Sequence, residues 1–468
     1  MTSSGYAWAA NRLAQPIRQH ALRPVVRSLT SLFGAVAILF VGSGLLGVLT
    51  PIRAEIEGFP TLTIGALGTA YYLGFVAGCM RGPWIVHRVG HVRTFAALAA
   101  IAASAALTHA MLVHIVAWIA LRGLLGFCFA GLYMVIESWL NGGADNHIRG
   151  RLLSLYMVVN MAGLAGGKML LATSEPSSFV LFGVVTICIA LALVPVSLTR
   201  SVVPSPPEHV TFRLDLLYQT APIGVVGCLA VGITNGAFWS LGPLFADARF
   251  VSISGVALFM SVVLVGAMAG QWPLGWLSDR IDRRYVIALA CLAAAGAALA
   301  LARMGAASPS MLFIASFAFG VTALPIYSIC VAHANDYGDT EDFVEISSGL
   351  LLLFGAGAVV GPFAASVVMS AVGPGGVFLF TRRSTSRSPA SPCGARCSAR
   401  DRRPKNARCS RRCRRPARRS TSSTRAPLAR LRASRHRRCR GTGPDTMRAG
   451  AGLERERVAK VVASESGP

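Results

Sequence analysis

Charged residues are scarce in this chain: Asp, Glu, Lys and Arg together make up 14% of its 468 residues. A soluble domain has about 25% charged residues, so this scarcity excludes an ordinary soluble enzyme. No Walker loop, paired catalytic carboxylates, metal-ligand cluster or nucleophile motif stands out either. We therefore expect no enzymatic activity, no cofactor and no bound metal.

Hydrophobic residues, in contrast, make up 53% of the chain, and its mean hydropathy is +0.56. The charges are unevenly distributed. Residues 1–380 contain 19 Lys and Arg against 15 Asp and Glu, whereas residues 381–468 contain 26 against 5. The chain thus joins an apolar part, long enough for about a dozen membrane-spanning helices, to a basic tail.

Eleven apolar segments are each long enough to cross a hydrocarbon core of ~30 Å as a helix that satisfies its own backbone hydrogen bonds. They lie at about 30–51, 62–84, 94–111, 113–137, 152–172, 178–198, 220–246, 251–275, 286–303, 310–332 and 346–372. The predicted fold is an all-α integral membrane protein.

A polar linker at 201–217 divides the apolar part into two halves. The half at 30–200 contains six helices, and the half at 218–380 contains helices seven to eleven and a stub of a twelfth. Internal duplication of this kind is usual in secondary transporters, whose substrate site lies between the halves.

Arginines are concentrated in alternate connections. Fourteen precede the first span or lie in connections on the same side as residues 1–29, whereas the other side has only Arg53, Arg249 and Arg303. Because cationic loops tend to stay cytoplasmic, the sequence predicts a multi-pass protein with a cytoplasmic N-terminus.

Two similar segments occupy corresponding places in the halves. Residues 83–93, after the second span, read PWIVHRVGHVR, and residues 275–284, after the eighth, read GWLSDRIDRR. Both resemble the loop signature of the major facilitator superfamily, Gly-x-x-x-Asp-Arg-x-Gly-Arg-Arg, with Asp282 in place of the second Gly and His87 in place of the usual Asp. The resemblance implies a cytoplasmic gate formed by Arg88, Gly90, Arg93, Gly275, Asp279, Arg280, Arg283 and Arg284. Anchoring of positive loops alone is the alternative.

Arg122 and Gly126 resemble a second pattern of this superfamily, Arg-x-x-x-Gly in the fourth helix. Nine residues into the predicted span, Arg122 lies roughly 14 Å deep. A cation there costs at least ~2.5 kcal/mol unless it faces a polar interior. We predict that Arg122 is the central charge of a solute pathway; an internal ion pair is the alternative.

Polar side chains at similar depths in other spans are candidates for a substrate or proton pathway. They are Glu137, Tyr156, Asn160, Asn235, Trp239 and Gln271. Tyr156 and Asn160 share a helix face, as do Asn235 and Trp239. Hydrogen bonds between helices explain them equally well.

Glu137 and Lys168 are two further charged side chains in the predicted spans of the first half. Glu137 could exchange protons or pair with Arg149 or Arg151. Lys168 lies near a predicted helix end, and we expect its side chain to reach the membrane interface.

Small residues in helix eleven indicate close helix packing. Gly357 and Gly361 form a small-xxx-small face, and Pro362 can bend the helix.

Three segments, at 131–141, 154–160 and 324–337, resemble the YcaD type of major facilitator transporter, and this resemblance covers about residues 30–380. It implies a bacterial inner-membrane transporter that moves a small organic solute by alternating access, with protons as the expected driving ion.

The tail, residues 381–468, is rich in Arg, Ser and Pro and interrupts the twelfth helix. One hypothesis is a shifted reading frame, because another frame permits an apolar continuation of this helix. A second is a polycation that binds nucleic acid or anionic lipid, which would make the chain a degenerate, membrane-anchored binding protein. A zinc site at Cys393, Cys397, Cys409 and Cys413 is the least favoured, since zinc knuckles usually have tighter spacing. Nucleic acid is an expected partner only if the tail is genuine.

Overall fold

The structure is a computed structural model that describes residues 32–142, 146–197, 217–218, 221–250, 252–304, 308–337 and 343–386. The predicted N-terminal segment 1–29, all but the last residue of the linker 201–217, and the tail beyond residue 386 lie outside the described residues. Within the described ranges the chain is helical and has no strand, which confirms the predicted fold class.

Eleven helices in this part of the chain are long and apolar enough to cross a membrane, as predicted. They are α1 (Leu32–Ile56), α2 (Thr61–Val89), α3 (His91–Met111), α4 (Ile115–Gly142), α5 (Asn146–Met169), α6 (Val180–Ser197), α7 (Pro222–Asp247), α8 (Ile253–Arg280), α9 (Arg283–Arg303), α10 (Pro309–Asn335) and α11 (Phe343–Val372). A shorter helix, α12 (Gly376–Ser386), follows them. Helix α10 is interrupted at Leu324 and Pro325, where proline lacks the N–H group that would continue the helix.

The helices α2 and α8 extend beyond their predicted ends, at residues 84 and 275, to Val89 and Arg280. Much of each arginine motif is therefore the last part of a helix and not a loop. Past the hydrocarbon core, water solvates the charged side chains while the backbone keeps its helical hydrogen bonds. The predicted connections shrink to one or two residues.

Close helix packing follows the same plan in both halves. In the first half, glycines of α1 and α5, and of α2 and α4, lie against the partner's backbone. In the second half, α7 packs in this way with α11, and α8 with α10, so each pair recurs six helices later. A side chain on Gly126 would collide with the carbonyl oxygen of Tyr71, and one on Gly361 with that of Ile233. Gly357 lies at the same α7–α11 contact.

The two halves meet through α2 with α7 and α11, and through α5 with α8. The Thr69 hydroxyl donates a hydrogen bond to the Val359 carbonyl oxygen at 2.8 Å. The Ser261 hydroxyl donates one to the Ala165 carbonyl oxygen at 3.1 Å. Pro362 faces α2, where a Cβ added at Gly65 or Gly68 would press against it. The bend that the sequence predicts at Pro362 stays a prediction.

These contacts between the halves are unevenly distributed along the helices. Thr69 and its neighbours belong to the first part of α2, and Ala165 lies near the last turn of α5. The contact reaches as far as Val76, near the middle of α2, which faces Gly355. We call the end of the bundle at which α2 begins the closed end. The end at which α2 meets α3 and α8 meets α9 is the arginine end.

Helix α12 is anchored in the second half by aromatic packing. The Phe378 ring is buried, with its centroid 4.7 Å from that of Phe245 and 5.4 Å from that of Phe319. The helix runs six residues beyond the predicted boundary at Phe380. Thr381 is buried, and its hydroxyl donates to the Phe378 carbonyl oxygen at 3.0 Å. Its 11 residues are still fewer than the ~20 that a membrane crossing needs.

Candidate functional site

Arg122 is a buried cation on α4. Its side chain is 9% exposed, and its Cζ atom lies 4.5 Å from the centroid of the Tyr71 ring on α2. Its Nε atom is buried without a hydrogen-bond partner, and no carboxylate among the described residues forms an ion pair with it. The ion pair considered as an alternative is therefore not found in the described part of the chain. The helix begins at Ile115, so Arg122 lies about 10 Å from its end, shallower than the sequence suggests.

Glu137, also on α4, is joined to Tyr156 on α5. The Tyr156 hydroxyl donates a hydrogen bond to Glu137 Oε1 at 3.2 Å. Tyr156 is 3% exposed, whereas the Glu137 side chain is exposed. Glu137 is five residues before the end of α4, so it lies toward the arginine end. A carboxylate that reaches solvent and has a tyrosine partner can take up and release a proton. The side chains of Arg149 and Arg151, its other predicted partners, lie outside the described residues.

Tyr133 lies on α4 between Arg122 and Glu137, on the interior of the first half. Its ring stacks on Phe40 of α1, with centroids 4.9 Å apart, and its hydroxyl lies 2.8 Å from Ser43 Oγ. Sequence reasoning missed Tyr133 and Tyr71. A signal was present for Tyr133, because it lies eleven residues after Arg122 and four before Glu137, spacings that place all three on one helix face.

Lys168 does not reach a membrane interface, so that prediction is wrong. Its side chain is 5% exposed, and its Nζ atom lies 5.0 Å from the centroid of the Trp239 ring on α7. Lysine can extend to the surface only if its helix face points outward, and this face of α5 points at the second half. Trp239, a predicted pathway residue, is thereby brought to a cation that the sequence did not assign to the pathway.

The other predicted pathway residues are Asn235, Asn160 and Gln271. Asn235 is 8% exposed on α7, one turn before Trp239. Asn160 has a buried Oδ1 atom without a hydrogen-bond partner, one turn after Tyr156. Gln271 is exposed on α8, and the described contacts do not join it to the others.

At the arginine end, the second-half motif binds the end of α10. Arg283 lies 3.2 Å from Asp279 Oδ1, and its Nε lies 3.3 Å from Asp336 Oδ2. Burial raises the pKa of Asp336, and the positive charge of Arg283 opposes this change. Arg284 donates a hydrogen bond to the Tyr337 hydroxyl. The motif cations thus meet the acidic segment that follows α10.

Two predicted gate arginines stack on neighbouring tryptophans instead. The Cζ atom of Arg280 lies 3.9 Å from the Trp276 ring centroid, and that of Arg88 lies 5.4 Å from the Trp84 centroid. Arg93 is exposed at the start of α3, and Gly275 lies in α8 with open space where a side chain would be. The first-half motif therefore has no described ion pair like that of Arg283.

The turn in each motif explains why one copy has glycine and the other aspartate. Gly90 has φ of 89° and ψ of 160°, a conformation open essentially only to glycine. Asp282 has φ of −58°, and its carboxylate caps α9 by accepting a hydrogen bond from the Arg284 backbone N–H at 3.0 Å. The departure from the family pattern is thus a different way of turning the chain.

We expect Gly90→Ala to destabilise the protein by about 1–3 kcal/mol, because alanine is strained at this backbone conformation. The matched control is Gly296→Ala in α9, where a Cβ meets nothing within 4 Å and helix propensity favours alanine. Thermal unfolding in detergent measures both. Equal melting temperatures for the two variants would contradict the strained turn.

Comparisons with known proteins agree with this architecture. The Major Facilitator Superfamily profile matches residues 224–381. An uncharacterized MFS-type transporter of Enterobacter sp. (strain 638) is 27% identical over 356 residues, which are 74% of this chain and 89% of that protein. The uncharacterized MFS-type transporter YcaD of Escherichia fergusonii is 25% identical over 349 residues, with the same shares. The chain is thus similar to transporters of the major facilitator superfamily.

A similar fold is found among solved structures. The crystal structure of the nucleoside transporter NupG matches with a TM-score of 0.67 over 76% of this chain and 96% of that one, at 12% identity. This likeness concerns the fold alone. The eleven apolar helices of the described residues and the similarity to MFS-type transporters indicate a multi-pass membrane transport protein and not an enzyme.

Proposed function

We propose that the chain is a secondary active transporter that moves a small organic solute by alternating access and is driven by protons. One observation carries the proposal: the two halves meet from the closed end to the middle of α2. A carrier of this fold alternates by rocking one half against the other around a site between them. Contacts between the halves toward one end, as found among the described residues, are what one of its two states requires.

The proposed orientation places the arginine end in the cytoplasm of a bacterial cell and the bundle in the inner membrane. In the eleven spans and their described connections, Arg81, Arg88, Arg93, Arg280, Arg283 and Arg284 lie at this end, whereas Arg53, Arg249 and Arg303 lie at the closed end. This asymmetry supports the orientation, because cationic loops are retained on the cytoplasmic side. In this orientation, the state in which the halves meet at the closed end is the one that opens to the cytoplasm.

Proton coupling is assigned to Glu137. Its hydrogen bond to Tyr156 joins α4 to α5, and α5 in turn contacts the second half through Ala165. Protonation of this carboxylate would change the bond that holds the two helices together. Proton binding at Glu137 would thereby be linked to the rocking of the halves through the contacts of α4, α5 and α8.

A reversible cross-link at the closed end tests the proposal. In a background with all 11 cysteines replaced, Ala165→Cys and Ser261→Cys place two thiols where α5 meets α8, at little steric cost. The measured quantity is exchange, in proteoliposomes, of a solute that stabilises the purified protein in a thermal-shift screen. We expect oxidation to stop exchange and a reductant to restore it.

The two single-cysteine variants are the controls, since neither can form the bridge. If the bridged protein exchanged solute at the rate of the reduced protein, the halves would not need to part at the closed end. Alternating access would then be wrong for this chain.

A further inference from the structure

Two cations in the interior of the bundle have no acidic partner among the described residues. Arg122 and Lys168 are 9% and 5% exposed, so each is more than nine-tenths buried. The ion pairs of the described residues join Arg53 to Glu57 and Arg283 to Asp279 and Asp336, and neither interior cation is among them. Each lies instead over an aromatic ring, Arg122 over Tyr71 and Lys168 over Trp239.

The carboxylate of Glu137, on the same helix, is too far away to neutralise Arg122. Glu137 is fifteen residues further along the same helix, which is about 22 Å. It is moreover engaged by Tyr156. Asp247 is likewise distant from the Lys168–Trp239 pair. It lies at the closed end, eight residues beyond Trp239 on α7, which is about 12 Å along the helix.

Both cation–aromatic pairs lie close to one contact between the halves. A Cβ on Gly68 of α2 would touch Ser240 of α7. Tyr71 is three residues after Gly68, about one turn, and Trp239 immediately precedes Ser240. Arg122 and Lys168 therefore border the same region between α2, α4, α5 and α7.

Unused hydrogen-bond donors show what these cations need. A guanidinium has five N–H donors in a planar fork that suits carboxylate and phosphate oxygens, and an ammonium has three. A ring face attracts a cation but leaves most of these donors without an acceptor. Arg122 Nε is buried without any hydrogen-bond partner. A ligand with acidic oxygens would supply the missing acceptors.

We propose that the solute is a small organic anion, whose acidic group binds at Arg122 and Lys168 and whose body packs against Tyr71 and Trp239. This inference rests on the proposed transporter function and adds its substrate class. Lys168 reaches from the first half to a ring of the second. An anion at this lysine would therefore bind at the contact that alternating access must open.

The test measures the melting temperature of the purified full-length protein with pairs of probes that have similar shapes and different charge. The pairs are benzoate with benzamide, succinate with succinamide, and phenyl phosphate with phenol. A ligand that binds only the folded protein raises the melting temperature. We expect at least one anion to raise it by several degrees and its neutral analogue to leave it unchanged. The carboxylate and phosphate pairs distinguish the two kinds of acid.

Arg122→Gln and Lys168→Gln each remove one charge and leave a shorter, neutral side chain that can still donate hydrogen bonds. We expect either variant to weaken binding of the stabilising anion at least about tenfold, as expected for loss of a charge-assisted contact. The matched control is Arg303→Gln, which removes an exposed cation at the same end of the bundle and should bind as the parent does.

The other outcomes separate the two proposals. If neutral or cationic probes stabilise the protein and cross the membrane while no anion does, the anion inference is wrong and the transporter stands. Equal stabilisation of the parent and Arg122→Gln by an anion would also overturn the inference. If no anionic probe stabilises the parent, the inference fails, and if no probe of any charge does, the proposed function loses its support as well.

Discussion

Arg122→Ala is expected to lower solute flux by roughly 10- to 100-fold while leaving the amount of folded protein unchanged. A buried charge that holds a structural partner destabilises the protein strongly when that partner is lost. Arg122 has no described acidic partner, so its removal leaves no unpaired carboxylate among those residues. It also removes the cost of at least ~2.5 kcal/mol of placing a cation within a membrane helix. A cation that is this unfavourable within a membrane helix is retained because the function needs it.

The magnitude follows from the interaction that is lost. A hydrogen-bonded contact to a charged group is worth about 1.5–3 kcal/mol, and each 1.4 kcal/mol changes an equilibrium about tenfold. Initial rates of uptake into proteoliposomes measure the effect, normalised to the reconstituted protein. Arg122→Lys keeps the charge without the planar fork and should retain part of the flux. Full flux in Arg122→Ala would show that the cation is only structural.

Glu137→Gln is expected to uncouple transport from protons. Glutamine resembles the protonated acid and can still accept the hydrogen bond from Tyr156, so the α4–α5 contact persists. Without a titratable group, a pH gradient should no longer drive accumulation, which we expect to fall by roughly tenfold or more. Solute exchange at equal pH on both sides needs no net proton movement and should continue at nearly the parent rate.

Two control variants separate the carboxyl group from its surroundings. Tyr156→Phe removes the hydrogen bond but leaves the acid, and should shift the pH dependence of transport without abolishing coupling. Glu175→Gln removes an exposed carboxylate between α5 and α6 and should change neither measurement. If Glu137→Gln accumulated solute against a gradient as the parent does, the proton pathway would lie elsewhere.

Much of this architecture is predictable because the membrane imposes it. Apolar runs of about twenty residues must form helices in hydrocarbon, which is why all eleven spans were predicted. The ends of α2 and α8 are not predictable in the same way, because helices continue past the apolar run where water solvates charged side chains. The repeated motif correctly indicated two related halves, which the recurring pairs of packed helices also display.

The site was less predictable, because hydropathy does not say which face of a helix meets the other half. Lys168 was placed at the interface by its position near a helix end, yet α5 turns it toward Trp239. Tyr71 was missed because a tyrosine within an apolar run has no spacing that distinguishes a cavity wall from a core. Asp282 departs from the family pattern for a local reason, the cap of α9, that only the turn reveals.

The most direct test of the central claim is the distance between the halves at both ends of the bundle. Spin labels at Thr173 and Ser252 report on the closed end, and labels at His87 and Ile281 report on the arginine end; all four side chains are exposed. Double electron–electron resonance in lipid nanodiscs, with and without the solute, measures each pair. Alternating access predicts two populations in which a longer distance at the closed end accompanies a shorter distance at the arginine end. One fixed distance at both ends, unchanged by solute and pH in an active protein, would contradict it.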